Sequence, residues 1–237
     1  MTEDSFDLII ADPPYRLKSW EGFGRKNNWS YRVKPPKYSE WMPECLRVLK
    51  PHGSMFVFEN PVNEYATMTA IKRAGFIRQP NLVWFVTFRA SHPRRGWYNN
   101  HFEPIIWGTK TKDWYFDRAP LMGEGSDLGG DVFAYPAQSI NALVPGQKPL
   151  GLLERLIECH TKFGWKVLDP FAGSCSTLVS ARKLGRYCTG IEINEEVAEK
   201  VAKYRKFTYL ESLKVQTKRQ ELDSFDETNH ITGEQKA

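Results

Sequence analysis

The sequence predicts an α/β fold, a mostly parallel sheet with helices on both faces, and three observations carry that reading. Short apolar runs of strand length recur along the chain, each closed by turn residues. Between them lie longer stretches with apolar residues at helical spacing. Two of the runs end in an Asp-Pro turn, the place where open α/β sheets hold their ligands.

Taken in order, Phe6–Ala11 (FDLIIA) is an apolar run stopped by Pro13-Pro14 and reads as a buried strand. Residues 16–37 are basic and aromatic without a period, and read as a loop. A helix is predicted over 39–49, with Trp41, Met42, Cys45, Leu46 and Leu49 on one side, Ser39 as N-cap, and Pro51 and Gly53 as stops. Residues 54–58 follow as a strand and 63–74 as a helix ending at Gly75. Two strands, 82–88 and 103–107, should face each other across a tip at 89–100. Residues 110–144 are irregular, rich in Gly, Asp and Pro. Helix returns over 149–160, where Leu152, Leu153, Leu156 and Ile157 share a face, and strand and helix then alternate at 165–168, 176–184, 187–191 and 195–207. From about 211 the chain is polar and expected to fray. The division predicted is one domain over 1–210, carrying a small insert at about 112–144, and a tail over 211–237.

With 237 residues and 41% hydrophobic content, the chain can bury one sizeable core. Its first residues are acidic and polar, unlike a signal peptide, and no apolar run is long enough to span a bilayer. Cys45, Cys159, Cys175 and Cys188 are scattered without a C-x-x-C pair and read as reduced thiols of a cytoplasmic protein, with no metal site. His52, His101, His160 and His230 form no constellation. Net charge is +5, but residues 16–37 alone carry +6 and everything else sums to −1. A neutral body with one basic loop points to a local contact with a polyanion.

Asp12-Pro13-Pro14-Tyr15 places a carboxylate, then two residues without backbone donors, then an aromatic ring at a strand end. Such a loop offers acceptors without competing N–H groups. A second motif, Asp169-Pro170-Phe171-Ala172-Gly173-Ser174, again joins strand to helix: Gly173 lets the backbone approach a ligand, and the helix start supplies free N–H groups. About twenty residues on, Glu192 ends the next strand, a spacing that suits a carboxylate gripping ribose hydroxyls; the dinucleotide fingerprint G-x-G-x-x-G is absent.

Together these two motifs resemble the amino methyltransferases of DNA, whose catalytic motif is D/N/S-P-P-Y/F/W and whose cofactor motif is similar to D-P-F-A-G-S-G-T-T. Their order here, catalytic motif first, resembles the permuted beta group of that family. Gln147-Lys148-Pro149-Leu150 is similar to its Q-K-P segment, and Asn100-His101-Phe102-Glu103-Pro104-Ile105 to its N-x-x-E-x-I strand. The resemblance implies a Rossmann-like, circularly permuted methyltransferase fold that uses S-adenosylmethionine and no metal, acts on DNA and forms a homodimer. It makes Asp12, Pro13, Pro14 and Tyr15 catalytic: the Asp12 carboxylate and Pro13 carbonyl would polarise a base amine, and Tyr15 would stack a flipped base. Asp169, Pro170, Phe171, Ala172, Gly173, Ser174 and Glu192, with Gln147 and Lys148, become the cofactor site.

Three departures stand out. Cys175 and Ser176 replace the usual Gly and Thr, which predicts a wider turn. The family's strand bearing an acid for the cofactor adenine has no counterpart before Phe6, and the recognition segment, about 112–144, is short. Asp at the head of the catalytic motif resembles the adenine enzymes, where Ser is usual for cytosine, so N6 of adenine is the expected target. The alternatives are N4 of cytosine, methylation of RNA or a protein amide, and an inactive DNA-binding partner. Attack on a cytosine ring carbon is disfavoured, since no Cys follows a Pro.

DNA contact is expected from Arg16, Lys18, Arg25, Lys26, Arg32 and Lys34, interleaved with Trp20, Phe23, Trp29 and Tyr31, and from Arg94 and Arg95 at the tip. Neutralising Arg25, Lys26 and Arg32 together should flatten the salt dependence of DNA binding. The log–log slope should fall by up to about 2.7, at about 0.9 per phosphate contact. A titration against salt that returns an unchanged slope would remove the loop from the interface.

Overall fold

The computed structural model describes residues 1–15, 35–88, 98, 100–122, 130–137, 142–143, 146–205 and 213–215. Strands β1 (Phe6–Ala11), β2 (Leu49–Phe58), β3 (Ile77–Arg78), β4 (Leu82–Val86), β5 (Phe102–Thr109), β6 (Val132–Tyr135), β7 (Lys166–Asp169), β8 (Tyr187–Glu192) and β9 (Leu213–Val215) form one sheet. Its order is β6-β4-β5-β2-β1-β7-β8-β9, with β3 also paired to β5. Among the described strands only β5 runs against the rest, as its antiparallel ladders with β2, β3 and β4 require.

The helices are α1 (Tyr38–Val48), α2 (Glu64–Arg73), α3 (Leu150–His160), α4 (Ser176–Lys183) and α5 (Glu195–Arg205). Helices α1 and α2 cover one face, where Met42, Cys45, Val48 and Ile71 meet Ile9, Ala11, Met55, Val57 and Ile106. Helix α3 covers the other, with Leu152, Leu153, Leu156 and Ile157 against Leu8, Ile10, Phe56, Phe58, Trp84 and Ile105. A third cluster seats Val197, Ala198 and Val201 of α5 against Ala172, Cys175 and Leu178.

Every residue of β1 is buried, and β2 and β7 flank it in parallel. Burying each of its Leu and Ile side chains is worth about 1.5–3 kcal/mol, so this strand anchors both cores. At its foot the register with β2 slips: Phe6 pairs Leu49, but Leu8 pairs Ser54. The slip turns Phe6 to the same face as Ile9 and Ala11. It also explains why β2 begins at Leu49 and not at 54: Pro51 and Gly53, which read as stops, are absorbed in the irregularity. The Asp7 carboxylate holds this corner, accepting from Lys50 Nζ (2.9 Å), His52 Nε2 (2.8 Å) and the Lys166 backbone N–H (2.8 Å).

Three further differences from the sequence reading have local causes. Helix α1 starts one residue early because Glu40 reaches back to accept from the Lys37 N–H (2.8 Å), so Lys37 and not Ser39 is the cap. The segment read as irregular contributes β6, which pairs with β4 and is tied down by Trp84 Nε1 donating to the Tyr135 carbonyl (2.9 Å). The polar C-terminal stretch contributes β9, which satisfies the open backbone edge of β8. No helix among the described residues is long and apolar enough to cross a membrane.

A Cβ added at Gly53 would lie 2.5 Å from Leu49 Cδ1 and 2.9 Å from the Asp7 carbonyl oxygen. Gly53→Ala should therefore cost about 1–3 kcal/mol of stability as overpacking. Urea unfolding checks this, and an unmoved midpoint would show that the foot of the sheet yields freely.

Candidate active site

Chain order leaves β1 for β2 on one side, while β7 joins it on the other, so a topological switch point lies between β1 and β7. Both acid-Pro turns therefore open at the same edge of adjacent strands. Asp12 and Tyr15 follow β1, Asp169 ends β7, and Glu192 ends β8.

The first cluster joins residues far apart in sequence. Lys148 Nζ donates to Asp12 Oδ2 at 2.8 Å and to the Tyr15 hydroxyl at 3.2 Å. The Tyr15 hydroxyl lies 3.2 Å from Asp12 Oδ1 and 3.1 Å from Glu103 Oε2. Lys148 Nζ is also 3.5 Å from Glu103 Oε2. The rings of Phe58, Tyr15 and Trp84 surround that ammonium at 5.2, 5.5 and 5.9 Å. Lys148 is 6% exposed while 31% of the Asp12 side chain remains open, so the carboxylate sits deep but reachable.

Burial pushes the Asp12 carboxyl up from its ordinary range, and Glu103 adds to the rise; Lys148 and the Tyr15 hydroxyl oppose it. Tyr15 is held well above the usual phenol range by burial and then by Asp12 and Glu103, so it stays a protonated donor. For Lys148, burial acts to lower the value, but Asp12 and Glu103 more than restore it, leaving an ammonium.

The second cluster is the turn after β7. Gly173 N–H donates to Glu192 Oε2 (2.9 Å) and Asn194 N–H to Glu192 Oε1 (2.8 Å). Phe171 N–H donates to Asp169 Oδ1 (3.0 Å). Burial, with lesser contributions from the charges of Asp12 and Glu192, pushes Asp169 up to about 7. Gly173 has φ +45°, and a Cβ there would meet nothing closer than 3.8 Å, so the backbone faces open space. Cys175 takes the left-handed conformation (φ 57°) that Gly would favour, and its N–H closes on the Ala172 carbonyl at 2.6 Å. The turn is tight despite the substitution.

Pro13 is buried and Pro14 half-buried beside Asp12. Lys148, expected beside the cofactor, reaches the Asp12 carboxylate, and Gln147 Oε1 accepts from the Leu143 N–H (3.1 Å). Glu103 was legible as the acid of the N-x-x-E-x-I strand, without a role assigned to it. Nearby, buried Glu59 accepts from the Tyr38 hydroxyl and from Thr67 Oγ1, both at 2.8 Å, and no pattern in the sequence marked it. Arg16, Lys18, Arg25, Lys26, Arg32, Lys34, Arg94 and Arg95 lie outside the described residues.

The remaining titratable groups stay out of this chemistry. Burial pushes the thiols of Cys45 and Cys159 up to about 12, and those of Cys175 and Cys188 also rise, so none is a ready thiolate. His160, packed among Phe56, Trp107 and Phe116, is pushed down to about 3 and is neutral. No group of His, Cys, Asp and Glu among the described residues could hold a metal ion.

Comparison with known proteins places this geometry. The family model described as DNA methylase, of the N6/N4 type, matches residues 6–203. The chain is 32% identical over 226 residues to the Type II methyltransferase M2.DpnII of Streptococcus pneumoniae, covering 86% of this chain and 84% of that one. The solved M1.HpyAVI-SAM complex superposes with a TM-score of 0.63 at 24% identity, over 84% of this chain and 89% of the other. The cytosine-N4-specific PvuII DNA methyltransferase superposes with a TM-score of 0.66 at 19% identity, over 85% and 80%. At those identities the two structures establish a shared fold.

Proposed function

This chain belongs to the DNA methylase family of the N6/N4 type, and on that premise we propose that it transfers a methyl group from S-adenosylmethionine to the exocyclic nitrogen of adenine in DNA. The observation that carries the reading is the Asp12 carboxylate, partly open and held by Lys148 and Tyr15 at the switch point beside the Asp169–Glu192 turn.

The residues around that turn suit the cofactor. Open space at Gly173, two carboxylates and a helix start form a donor and acceptor set for a charged nucleoside. Asp169 would hold the cofactor's ammonium, Glu192 its ribose hydroxyls, and Phe171 and Gly173 would line the approach. When bound, S-adenosylmethionine supplies an electrophilic methyl group.

This chain's residues do the remainder. An adenine amine is a weak nucleophile because its lone pair is delocalised into the ring. Asp12 accepts one of its N–H bonds and draws the nitrogen toward a tetrahedral shape, with the Pro13 carbonyl as second acceptor. The carboxylate then stabilises the positive charge that builds on nitrogen and takes up the released proton at Oδ2. A carboxylate does this better than the hydroxyl of a Ser at the same position, which favours adenine over cytosine. The likeness to a cytosine-N4 enzyme keeps the second base as the competing outcome.

Incubating genomic DNA with the protein and labelled cofactor, then identifying the modified nucleoside by mass spectrometry, tests the reading. N6-methyladenine is expected, and N4-methylcytosine alone would overturn the base assignment. Asp12→Ala should retain less than about a tenth of the rate, one 1.36 kcal/mol step or more, with cofactor affinity near wild type.

Asp169 also sets a pH dependence. Below pH 7 it is mostly protonated, and that proton must leave before the carboxylate can hold an ammonium. Cofactor affinity should therefore fall by up to about tenfold per pH unit below 7 and level off above it. Asp169→Asn should abolish the slope, which calorimetry across pH would reveal; a wild-type slope in that variant would detach Asp169 from the cofactor.

A further inference from the structure

Both oxygens of Asp12 are engaged in this structure, Oδ1 by the Tyr15 hydroxyl and Oδ2 by Lys148. An incoming amine needs one of them. The Lys148 ammonium already does what that amine would do: it is a nitrogen donor 2.8 Å from Oδ2, among the rings of Phe58, Tyr15 and Trp84. A second carboxylate is close by, since Glu103 Oε2 is 3.5 Å from the same Nζ. A shift of roughly 1 Å would exchange the shorter contact for the longer one, within hydrogen-bond geometry.

We propose that Lys148 and Glu103 are positioning residues for methyl transfer: Lys148 holds Asp12 Oδ2 while standing in for the target amine, and Glu103 receives the ammonium when the amine takes its place. The proposal rests on the methyl-transfer reading above and adds two residues to it.

Charge count supports the assignment. With both carboxyls ionised, Asp12 and Glu103 would bring two negative charges against one positive on Lys148, leaving one negative charge in excess. One positive charge arrives on the nitrogen with the methyl group, and the excess matches it. Without Lys148, two carboxylates sharing a buried pocket would compete for a proton, and a protonated Asp12 loses the acceptor that the amine requires. Without Glu103, Lys148 has no alternative carboxylate among the described residues and stays on Oδ2.

Other ionisable groups of the described residues face the cluster. Tyr15 is a protonated donor to both carboxylates. Asp169 at the end of β7 is itself raised by burial and by the charge of Asp12, and Glu59 at the end of β2 acts against ionisation of Tyr15. Glu192 lies farther along the same edge, bonded to Gly173 and Asn194 N–H.

The test is direct titration of Asp12 in the full chain by carbon-13 NMR with labelled aspartate, the resonance assigned through Asp12→Asn. Lys148→Met should raise the Asp12 titration point by about one unit or more, because the compensating cation is gone. Glu103→Gln should lower it by a similar amount, because the competing negative charge is gone. Lys148→Arg should keep it within about half a unit of wild type. Single-turnover methylation of adenine-containing duplex should show its acid limb moving in the same directions, and Glu103→Gln should lower kcat more than it changes KM. Opposite shifts support the proposal, since loss of packing alone would not move the titration in two directions. Unmoved titration points, or shifts of one sign, would overturn it. If Lys148→Met does not fold, Lys148→Arg and Glu103→Gln still decide. Shifts as expected in a protein that leaves adenine unmodified would sink the proposed reaction and keep the charge arrangement. Methylated adenine with an immobile Asp12 titration would do the reverse.

Discussion

Burial of β1 on both faces, with a parallel partner on either side, is the constraint from which the rest of the molecule follows. Leu8 and Ile10 feed one core, and Ile9 and Ala11 the other. A strand so enclosed cannot slide by one residue without exchanging its faces, and each exchange would expose buried apolar surface. Its end is thus held rigidly, and Pro13-Pro14 stiffens the turn that follows. Asp12 is therefore aimed by the sheet. The Asp7 corner performs the same service at the foot, where a carboxylate ties β1, β2 and β7 together through Lys50, His52 and the Lys166 N–H.

Parallel strands also explain why two motifs separated by most of the chain share one edge. Since β1 and β7 are neighbours running the same way, their C-terminal ends emerge together. The acid of each is then near the other, and the charge of Asp12 adds to the rise of Asp169. Asp169 is pushed up to about 7 by burial, with Asp12 and Glu192 adding to the rise, while Asp12 has Lys148 beside it to offset the same penalty. Burial raises both carboxyls of this edge, and among the described residues Asp12 alone of the two has a cation in contact that opposes the rise.

Lys148 shows how a residue read from a motif gains a partner that its neighbours in the chain do not announce. The Q-K-P segment lies just before α3, and its resemblance pointed to the cofactor. In three dimensions α3 packs through Leu152, Leu153, Leu156 and Ile157 on the face that carries Leu8, Ile10, Phe56, Phe58, Trp84 and Ile105. Residue 148 then lies over Phe58 and Trp84, with its Nζ 2.8 Å from Asp12 Oδ2.

The sequence by itself determined the α/β class, the order of its helices and most of its strands, the Asp12-to-Tyr15 loop and the Asp169–Glu192 pair. Those features are local: a period of apolar residues, a Pro-Pro stop, a Gly in a turn, and an acid at a strand end are each written within a few consecutive residues. Strands β3, β6 and β9 were not legible, because each is two to four residues long and exists through the backbone edge it pairs with. The reach of β2 back to Leu49 was hidden likewise, since Pro51 and Gly53 signal a break that only pairing with β1 can bridge. Only the tertiary structure could decide that Glu103 and Lys148 belong beside Asp12. Their approach depends on β5 running antiparallel to β2, on where α3 docks, and on burial strong enough that charges far apart in the chain must neutralise one another.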